Sequence, residues 1–558
     1  MEDDLFCQLG GNYDIHQRAL LSYSPGTRKS LLLFHSTGTG KTVSSLGIAA
    51  AILRDEPGDV YIFAPPGLLA DPWRGELYRE PSRLPQRDVA ILRRAYESPD
   101  RTRLHFRTYH QMVGFEPARH APFAVFFDEA HNFRFGTRTT RDLKEALRIS
   151  EKATHRFLLT ATPVFNRPGE AAGLYAMLTG DGQVRNLPAY YNCFEKAAAE
   201  EDNELIRRWW RCLVSFHQRP AEDPRFPRTT RLPVIQPMTA EDHELYNDAE
   251  EELLRNGDRD PYLTKLRQAN NVPSKVTWLL WEHLPYIGVL DARGRPTRDP
   301  TRKVVIYSHW LETLDSLGSA FDQLGLAYQK VTGKTNRNGD RLAEYNNDNV
   351  QVLLISDAVR EGHGLRATTS LVIWEPQWNR EALRQVIGRV VRRDSHPHGR
   401  RSLVTVTELV WSRPPNFKHR PLTADERCYA LSAQKDVAIH TFYSGLQLAR
   451  LSPGNRCTGE TPGNTFPVWQ PERTQEQSRT PPPGKASFTA LYEIKDTPLP
   501  NGRYSETTDR TLRGWATATS RVPTGGFRKG TSGKVPRSDQ MPWITHPPTT
   551  LRLFRSLS

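Results

Sequence analysis

The sequence predicts an α/β chain with two lobes. Each lobe is a parallel sheet with helices on both faces. A mainly helical region is inserted between them, and a disordered tail follows. Three observations predict this. Apolar runs of the kind buried in parallel sheets recur, separated by helix-length polar segments. The series occurs twice, from Leu31 to Thr160 and from Lys303 to Trp374, with a stretch of different texture between. After Leu451 the composition changes. The expected divisions are 1–165, 166–300, 301–450 and 451–558. The full length of 558 residues agrees with three or four domains at a prior of about 150 residues each.

The first run, Leu31 to Phe34, reads as a strand buried on both faces. It leads into Ser36-Thr-Gly-Thr-Gly-Lys-Thr42, and a helical apolar pattern follows through Val43, Leu46, Ile48 and Ala50. Strand, glycine loop and helix are the context of a phosphate-binding loop. Gly38 and Gly40 free the backbone of Ser36, Thr37 and Thr39 to turn its N–H groups inward. The helix N-terminus then faces the same charge. Lys41 would reach the outer phosphates, and Thr42 would hold Mg²⁺. The strict pattern has glycine where this chain has His35. Gly-x-Gly alone would fit an ordinary strand–helix turn; Gly-Lys-Thr beside it favours ATP. Upstream, the Gln17 amide has a donor and an acceptor that match the edge of adenine. An exposed polar role suits it equally.

Val60–Pro66, Leu104–Tyr109, Phe123–Phe127 and Arg156–Thr160 read as the further strands of lobe one. Ligands of such sheets bind at the carboxyl ends of the strands. Asp128-Glu-Ala-His131 and Thr160-Ala-Thr162 fall there. Asp128 can hold the metal shared with Thr42, and Glu129 can orient and activate water. Adjacent acids also suit a plain helix N-terminus.

The middle stretch carries Trp209-Trp210, Trp278 and Trp281, with a Pro/Arg-rich segment from Pro220 to Pro233. Paired tryptophans can stack on bases or fill a core. Lobe two begins at Lys303–Ser308. A helical pattern follows through Leu311, Leu314, Leu317, Phe321 and Leu324, then strands at Tyr328–Thr332, Val350–Ile355 and Leu371–Trp374. The loop Ile355–Leu365, with Gly362, follows a buried strand. Gln385-Val-Ile-Gly-Arg-Val-Val-Arg392 reads as a helix with Arg389 and Arg392 on one face. Two guanidinium groups there can reach a γ-phosphate held by the other lobe; a basic solvated helix is the plainer reading.

The glycine loop, Asp128-Glu-Ala-His131 and Thr160-Ala-Thr162 resemble motifs I, II and III of superfamily-two helicases and translocases. Ile355–Leu365 resembles motif V and Gln385–Arg392 motif VI. The resemblance implies two RecA-like lobes with ATP and Mg²⁺ between them. Lys41, Asp128, Glu129, Gln385, Arg389 and Arg392 would be catalytic, and Gly362 would join the nucleotide site. Trp374-Glu-Pro-Gln-Trp-Asn379 and Leu159–Asn166 are similar to the Swi/Snf-like branch. His35–Thr42, Asp128–Asn132 and Thr423–Lys435 are similar to poxvirus-type nucleoside triphosphatase I and the early transcription factor small subunit. This likeness implies a viral protein of the virion and infected cell that tracks along DNA in preference to RNA, with a viral RNA polymerase as a partner. A strand-separating helicase uses the same motifs. A hydrolysis-dead binding subunit would not need the intact Lys41, Asp128, Glu129 and Arg392.

The net charge of +13 fits a polyanionic partner. Five scattered cysteines without a C-x-x-C pair argue against a disulfide framework or a zinc site. No signal-peptide pattern opens the chain, so it is expected not to be secreted. No apolar run approaches the roughly 18 residues of a membrane span. The tail holds 14 of the chain's 42 prolines, and 15 Lys/Arg against 8 Asp/Glu. It is expected to be disordered, as a nucleic-acid tether, a docking tail or a solvated tail without a role.

Overall fold

The computed structural model describes residues 13–21, 30–99, 101–117, 123–136, 139–219, 223, 225–255, 261–333, 338–357, 364–393, 395–396, 403–417 and 421–451. The segment 358–363, with Gly362, and the whole tail from 452 lie outside them.

The first sheet holds β1 (Ser30–His35), β2 (Asp59–Ala64), β3 (Leu104–Thr108), β4 (Phe123–Asp128), β5 (His155–Thr160) and β6 (Val214–His217). Their order is β3-β2-β4-β5-β1-β6, and every neighbouring pair is parallel. The apolar runs are continuous because each face of the sheet has its own core. Leu32, Phe34, Phe63, Val125, Phe127 and Leu158 pack on one side. Leu31, Leu33, Ile62, Ala124, Phe126 and Leu159 pack on the other. Successive residues of a strand point to opposite faces, so covering both faces requires every position to be apolar.

The second sheet holds β7 (Arg228–Pro237), β8 (Val304–Tyr307), β9 (Tyr328–Val331), β10 (Val352–Ile355), β11 (Ser370–Ile373) and β12 (Leu403–Ser412). Their order is β7-β12-β11-β8-β10-β9, and the pairings from β12 through to β9 are parallel. The two six-stranded sheets with flanking helices make two RecA-like lobes.

Three strands, β6, β7 and β12, are additions to the sequence reading. β6 is short and only partly apolar, and β7 is largely exposed, so neither shows the pattern of a buried strand. The region after Val164 also divides differently from the expected single insert. Helices Ala172–Thr179, Leu187–Ala199 and Asn203–Trp210 pack on the first sheet, ending in β6. Trp209 and Trp210 belong to that core, with Trp210 ringed by Tyr175, Phe194 and Phe442. Their size fills the core, and they offer no face to a base. A separate compact unit is built from residues 236–297 and 411–424. It contains helices Ala240–Arg255, Pro261–Ala269 and Pro273–Trp278. A buried ion pair of Arg413 with Glu250 at 2.5 Å and the Trp411 indole donating to Ser274 Oγ at 2.7 Å tie its two chain segments.

The helix Ala424–Leu448 begins against Pro376, whose carbonyl accepts from Cys428 Sγ at 3.2 Å. It ends with Ile439, Phe442, Tyr443 and Leu446 in the first lobe's core. Leu451 N then donates to Val214 O at 3.0 Å. Cys193 and Cys428 are free thiols, whereas Cys212 is disulfide-bonded. Among the described residues no helix is long and apolar enough to cross a membrane.

Candidate nucleotide site

The site begins where β1 ends. Gly38 and Gly40 have φ of 81° and 83°, the left-handed region that glycine enters without strain. Between them the chain turns tightly enough to start the helix Lys41–Asp55 directly after Gly40. Thr39 Oγ1 donates to Ser36 O at 2.7 Å inside the loop. Lys41 Nζ donates to His35 O at 3.0 Å, so its ammonium sits in the concavity of its own loop. Burial pulls the Lys41 pKa down; Glu129 and Asp128 oppose this, while Arg392 and Arg389 add to it. Thr42 follows in the first turn of the helix.

His35 is fully buried in the β1 core, where Nε2 meets Ser215 Oγ at 2.8 Å. A glycine would leave that space empty. Burial and the neighbouring His16, Lys41 and His217 keep the imidazole neutral. The His16 and His217 rings stack at 3.7 Å, and His16 Nε2 meets Thr39 O at 3.1 Å.

The Gln17 amide is engaged with backbone at both ends. It is buried, Nε2 donates to Gly40 O at 3.2 Å, and Oε1 accepts from Asp14 N at 2.9 Å. Both ends of the amide hold backbone, so Gln17 props the phosphate loop. A Cβ at Gly40 would stand 2.6 Å from Gln17 Nε2, which explains glycine there a second time.

Asp128 closes β4. Its Oδ2 accepts from the Trp73 indole at 2.8 Å and its Oδ1 from Glu129 N at 2.9 Å. Tyr109 Oη donates to the Asp128 carbonyl. Trp73 and Tyr109 were not singled out in the sequence, since nothing local connects them with Asp128. Glu129 has φ 51°, a conformation that costs a non-glycine residue of order 1–3 kcal/mol. From this backbone its carboxylate lies beside His131 and interacts electrostatically with Lys41. Burial and the adjacent Glu129 charge push the Asp128 carboxyl up. Burial would raise Glu129 too, but hydrogen bonding from His131 and the charges of His131, Lys41 and Arg389 hold it down.

A polar path leads from there to the second lobe. Glu129 Oε2 lies 3.3 Å from His131 Nδ1, which meets Thr160 Oγ1 at 3.2 Å. Thr160 Oγ1 accepts from Thr162 N at 3.0 Å, and Thr162 Oγ1 accepts from Gln385 Nε2 at 3.2 Å. Gln385 belongs to the helix Arg380–Val390, which is capped by Asn379 Oδ1 accepting from Ala382 N at 2.8 Å. The Gly388 Cα lies so near the loop that a Cβ would stand 3.0 Å from Thr37. An added methyl there would press on the Thr37 side chain, which would have to shift by a few tenths of an ångström.

One expectation is corrected here. Arg389 and Arg392 do not share a helix face, because the helix ends at Val390 and Val391 takes φ −95°, ψ 83°. Arg389 is buried in the last turn, and Arg392 lies in the chain beyond it. Arg392 nevertheless reaches the phosphate loop: its Cγ lies 3.4 Å from where a Gly38 Cβ would stand. The phosphate loop, two carboxylates and two arginines from the other lobe thus converge. The donor set suits a polyanion with a hard cation: Asp128 and Thr42 supply oxygen ligands, and Lys41, Arg389 and Arg392 supply positive charge. Gly362 lies outside the described residues, so its expected part in the site has no structural counterpart here.

Two family models match, Type III restriction enzyme, res subunit over residues 15–165 and Helicase conserved C-terminal domain over residues 285–394. These matches and the motifs that fall within them liken the chain to superfamily two of the helicases and translocases. The similar proteins are viral. A protein of Acanthamoeba polyphaga mimivirus, named as an ATP-dependent RNA helicase, is 25% identical over 75% of this chain and 93% of its own length. The early transcription factor 70 kDa subunit of Melanoplus sanguinipes entomopoxvirus is 26% identical over 42% of this chain, which spans 36% of that relative. Nucleoside triphosphatase I of Heliothis armigera entomopoxvirus is 30% identical over 19% of this chain and 17% of its own length. Among solved structures, the Sulfolobus solfataricus SWI2/SNF2 ATPase core in complex with dsDNA matches with TM-score 0.31 and 15% identity, over 73% of this chain and 90% of that one.

Proposed function

We propose that this protein is a nucleic-acid-dependent ATPase of superfamily two that hydrolyses ATP between its lobes and tracks along DNA during viral transcription. The observation that carries the reading is the composite site: Arg392 from the second lobe lies on Gly38 of the phosphate loop. A site divided between lobes makes hydrolysis depend on their closure, and lobes that close and open can step along a polymer.

Each residue has a task. The loop from Ser36 to Gly40 presents backbone N–H groups to phosphate, and Lys41 leaves its own loop carbonyls to meet the outer phosphates. Thr42 and Asp128 would hold Mg²⁺, which supplies charge neutralisation on the phosphate oxygens when bound. Glu129, turned by its left-handed backbone, orients the attacking water. Arg389 and Arg392 counter the charge that develops on the transferred group. Gln385, through Thr162, joins the second lobe to the Thr160–His131–Glu129 path, so a shift of that lobe reaches the carboxylate that orients water.

The net charge of +13 supports a polyanionic track. The Swi/Snf-like segments Trp374–Asn379 and Gln385–Arg389 favour tracking along duplex DNA. The transcription-factor and triphosphatase relatives favour viral transcription, with a viral RNA polymerase as partner and the virion and infected cell as its place. A second reading, a strand-separating RNA helicase, is favoured by the name of the mimivirus relative aligned along most of the chain.

The test measures ATPase without polymer and then with single-stranded DNA, duplex DNA and RNA, alongside triplex displacement and fork unwinding, with Lys41→Ala as blank. The proposal expects duplex DNA to stimulate most, a third strand to be displaced, and stimulation to fall steeply as salt rises. RNA stimulation with fork opening would establish the helicase reading instead.

A further inference from the structure

Arg392 lies beyond the end of its helix, so helical geometry does not fix where its guanidinium goes. Its neighbour Arg393 shows what does. Arg393 Nη1 donates to Asp14 Oδ2 at 2.8 Å. The other oxygen of Asp14, Oδ1, accepts from Arg225 Nη1 at 3.0 Å, and Arg225 is itself braced by Asp223 at 2.9 and 2.8 Å. Asp14 is tied to the phosphate loop by backbone: its N–H donates to Gln17 Oε1 at 2.9 Å, and Gln17 Nε2 donates to Gly40 O at 3.2 Å. On the other side, Arg393 N and Arg392 Cγ lie 3.6 and 3.4 Å from the Cβ position of Gly38. The contacts close a ring from Gly40 through Gln17, Asp14, Arg393 and Arg392 to Gly38, around the place assigned to phosphate.

We propose that Asp14 is a positioning residue for Arg392: by holding Arg393 it fixes the register of the second lobe's arginine over the phosphate loop. The inference rests on the proposed role of Arg392. Asp14, Arg393 and Arg225 side chains are 24%, 39% and 42% exposed, and ion pairs this wet contribute little to stability. Removing one therefore leaves a folded protein with a misplaced guanidinium, and misplacement by about 1 Å can cost up to roughly a hundredfold in rate.

The experiment compares Asp14→Asn, Asp14→Glu, Arg393→Gln, the double variant Asp14→Asn/Arg393→Gln, and Arg392→Ala in the full chain, under saturating polymer. Asp14→Asn is expected to lower kcat about tenfold with KM for ATP within about twofold. Arg393→Gln should match it, the double variant should be no worse than either single one, and Asp14→Glu should recover most of the rate. Independent multiplication of the two single effects would overturn the proposal. So would a raised KM at unchanged kcat, which would make Asp14 a support for nucleotide binding. If Arg392→Ala lowers kcat and Asp14→Asn does not, the positioning inference fails alone. If Arg392→Ala keeps its kcat, the reading of Arg392 fails first and takes the inference with it.

Discussion

The two lobes share a plan and arm it differently. In the first, every functional group stands within a few residues of a strand end: Lys41 after β1, Asp128 and Glu129 at β4, Thr162 after β5. Their positions follow from local structure. In the second, Gln385 and Arg389 come from a helix and Arg392 from the chain beyond it. What places them is contact with the other lobe, through Thr162, Thr37 and Gly38. On the proposed reading, the first lobe binds ATP by itself and the second contributes when it is docked. Binding should divide from turnover along the same line.

The largest break in that comparison comes from Arg392→Ala. ATP affinity should stay within a few-fold while kcat falls by about a thousandfold, the low end for a transition-state arginine. Single-turnover hydrolysis beside nucleotide titration separates the two. Loss of binding with normal turnover of the bound fraction would return Arg392 to the binding set.

Glu129→Gln tests the first lobe's chemistry apart from its binding. Size and hydrogen bonding persist, but the carboxylate proposed to orient water is gone. Turnover should fall by about a hundredfold, with nucleotide still bound. Near-normal turnover would remove Glu129 from the mechanism.

The smallest effect sharpens the comparison through stability. His16, His35 and His217 cluster beside the phosphate loop, and burial lowers all three, His16 to about 4. The native state holds them neutral while the unfolded chain takes up protons from about pH 6.5 downward. Their stabilisation is therefore complete above the unfolded pKa and is lost as pH falls from about 6.5 toward 4. At its steepest, each group contributes ~1.4 kcal/mol per pH unit. His35→Gln should flatten that acid limb in thermal unfolding. Hydrogen exchange should show β1 amides losing protection before those of β8. Equal loss in both sheets would mean that the cluster has no special share.

The sequence by itself determined the two sheets and the first lobe's share of the candidate site. Buried parallel strands need continuous apolar runs because both faces are covered, and those runs are visible at Leu31–Phe34, Phe123–Phe127 and Lys303–Ser308. The phosphate loop and Asp128-Glu129 are equally legible, since each is a short contiguous segment whose chemistry depends on local backbone. Only the tertiary structure decided the rest. β6 and β7 carry no strong pattern, and their pairing depends on a neighbour already in place. The tryptophan pair could have been surface or core until the helices around it were packed. That the Gln17 amide holds Gly40 O and Asp14 N could be seen only once the helix was packed against the loop. Trp73 lies 55 positions from Asp128, and Asp14 lies 379 from Arg393. Contacts so distant in sequence leave no local signature, because a hydrogen bond constrains the positions of two groups in space and leaves the chain between them free.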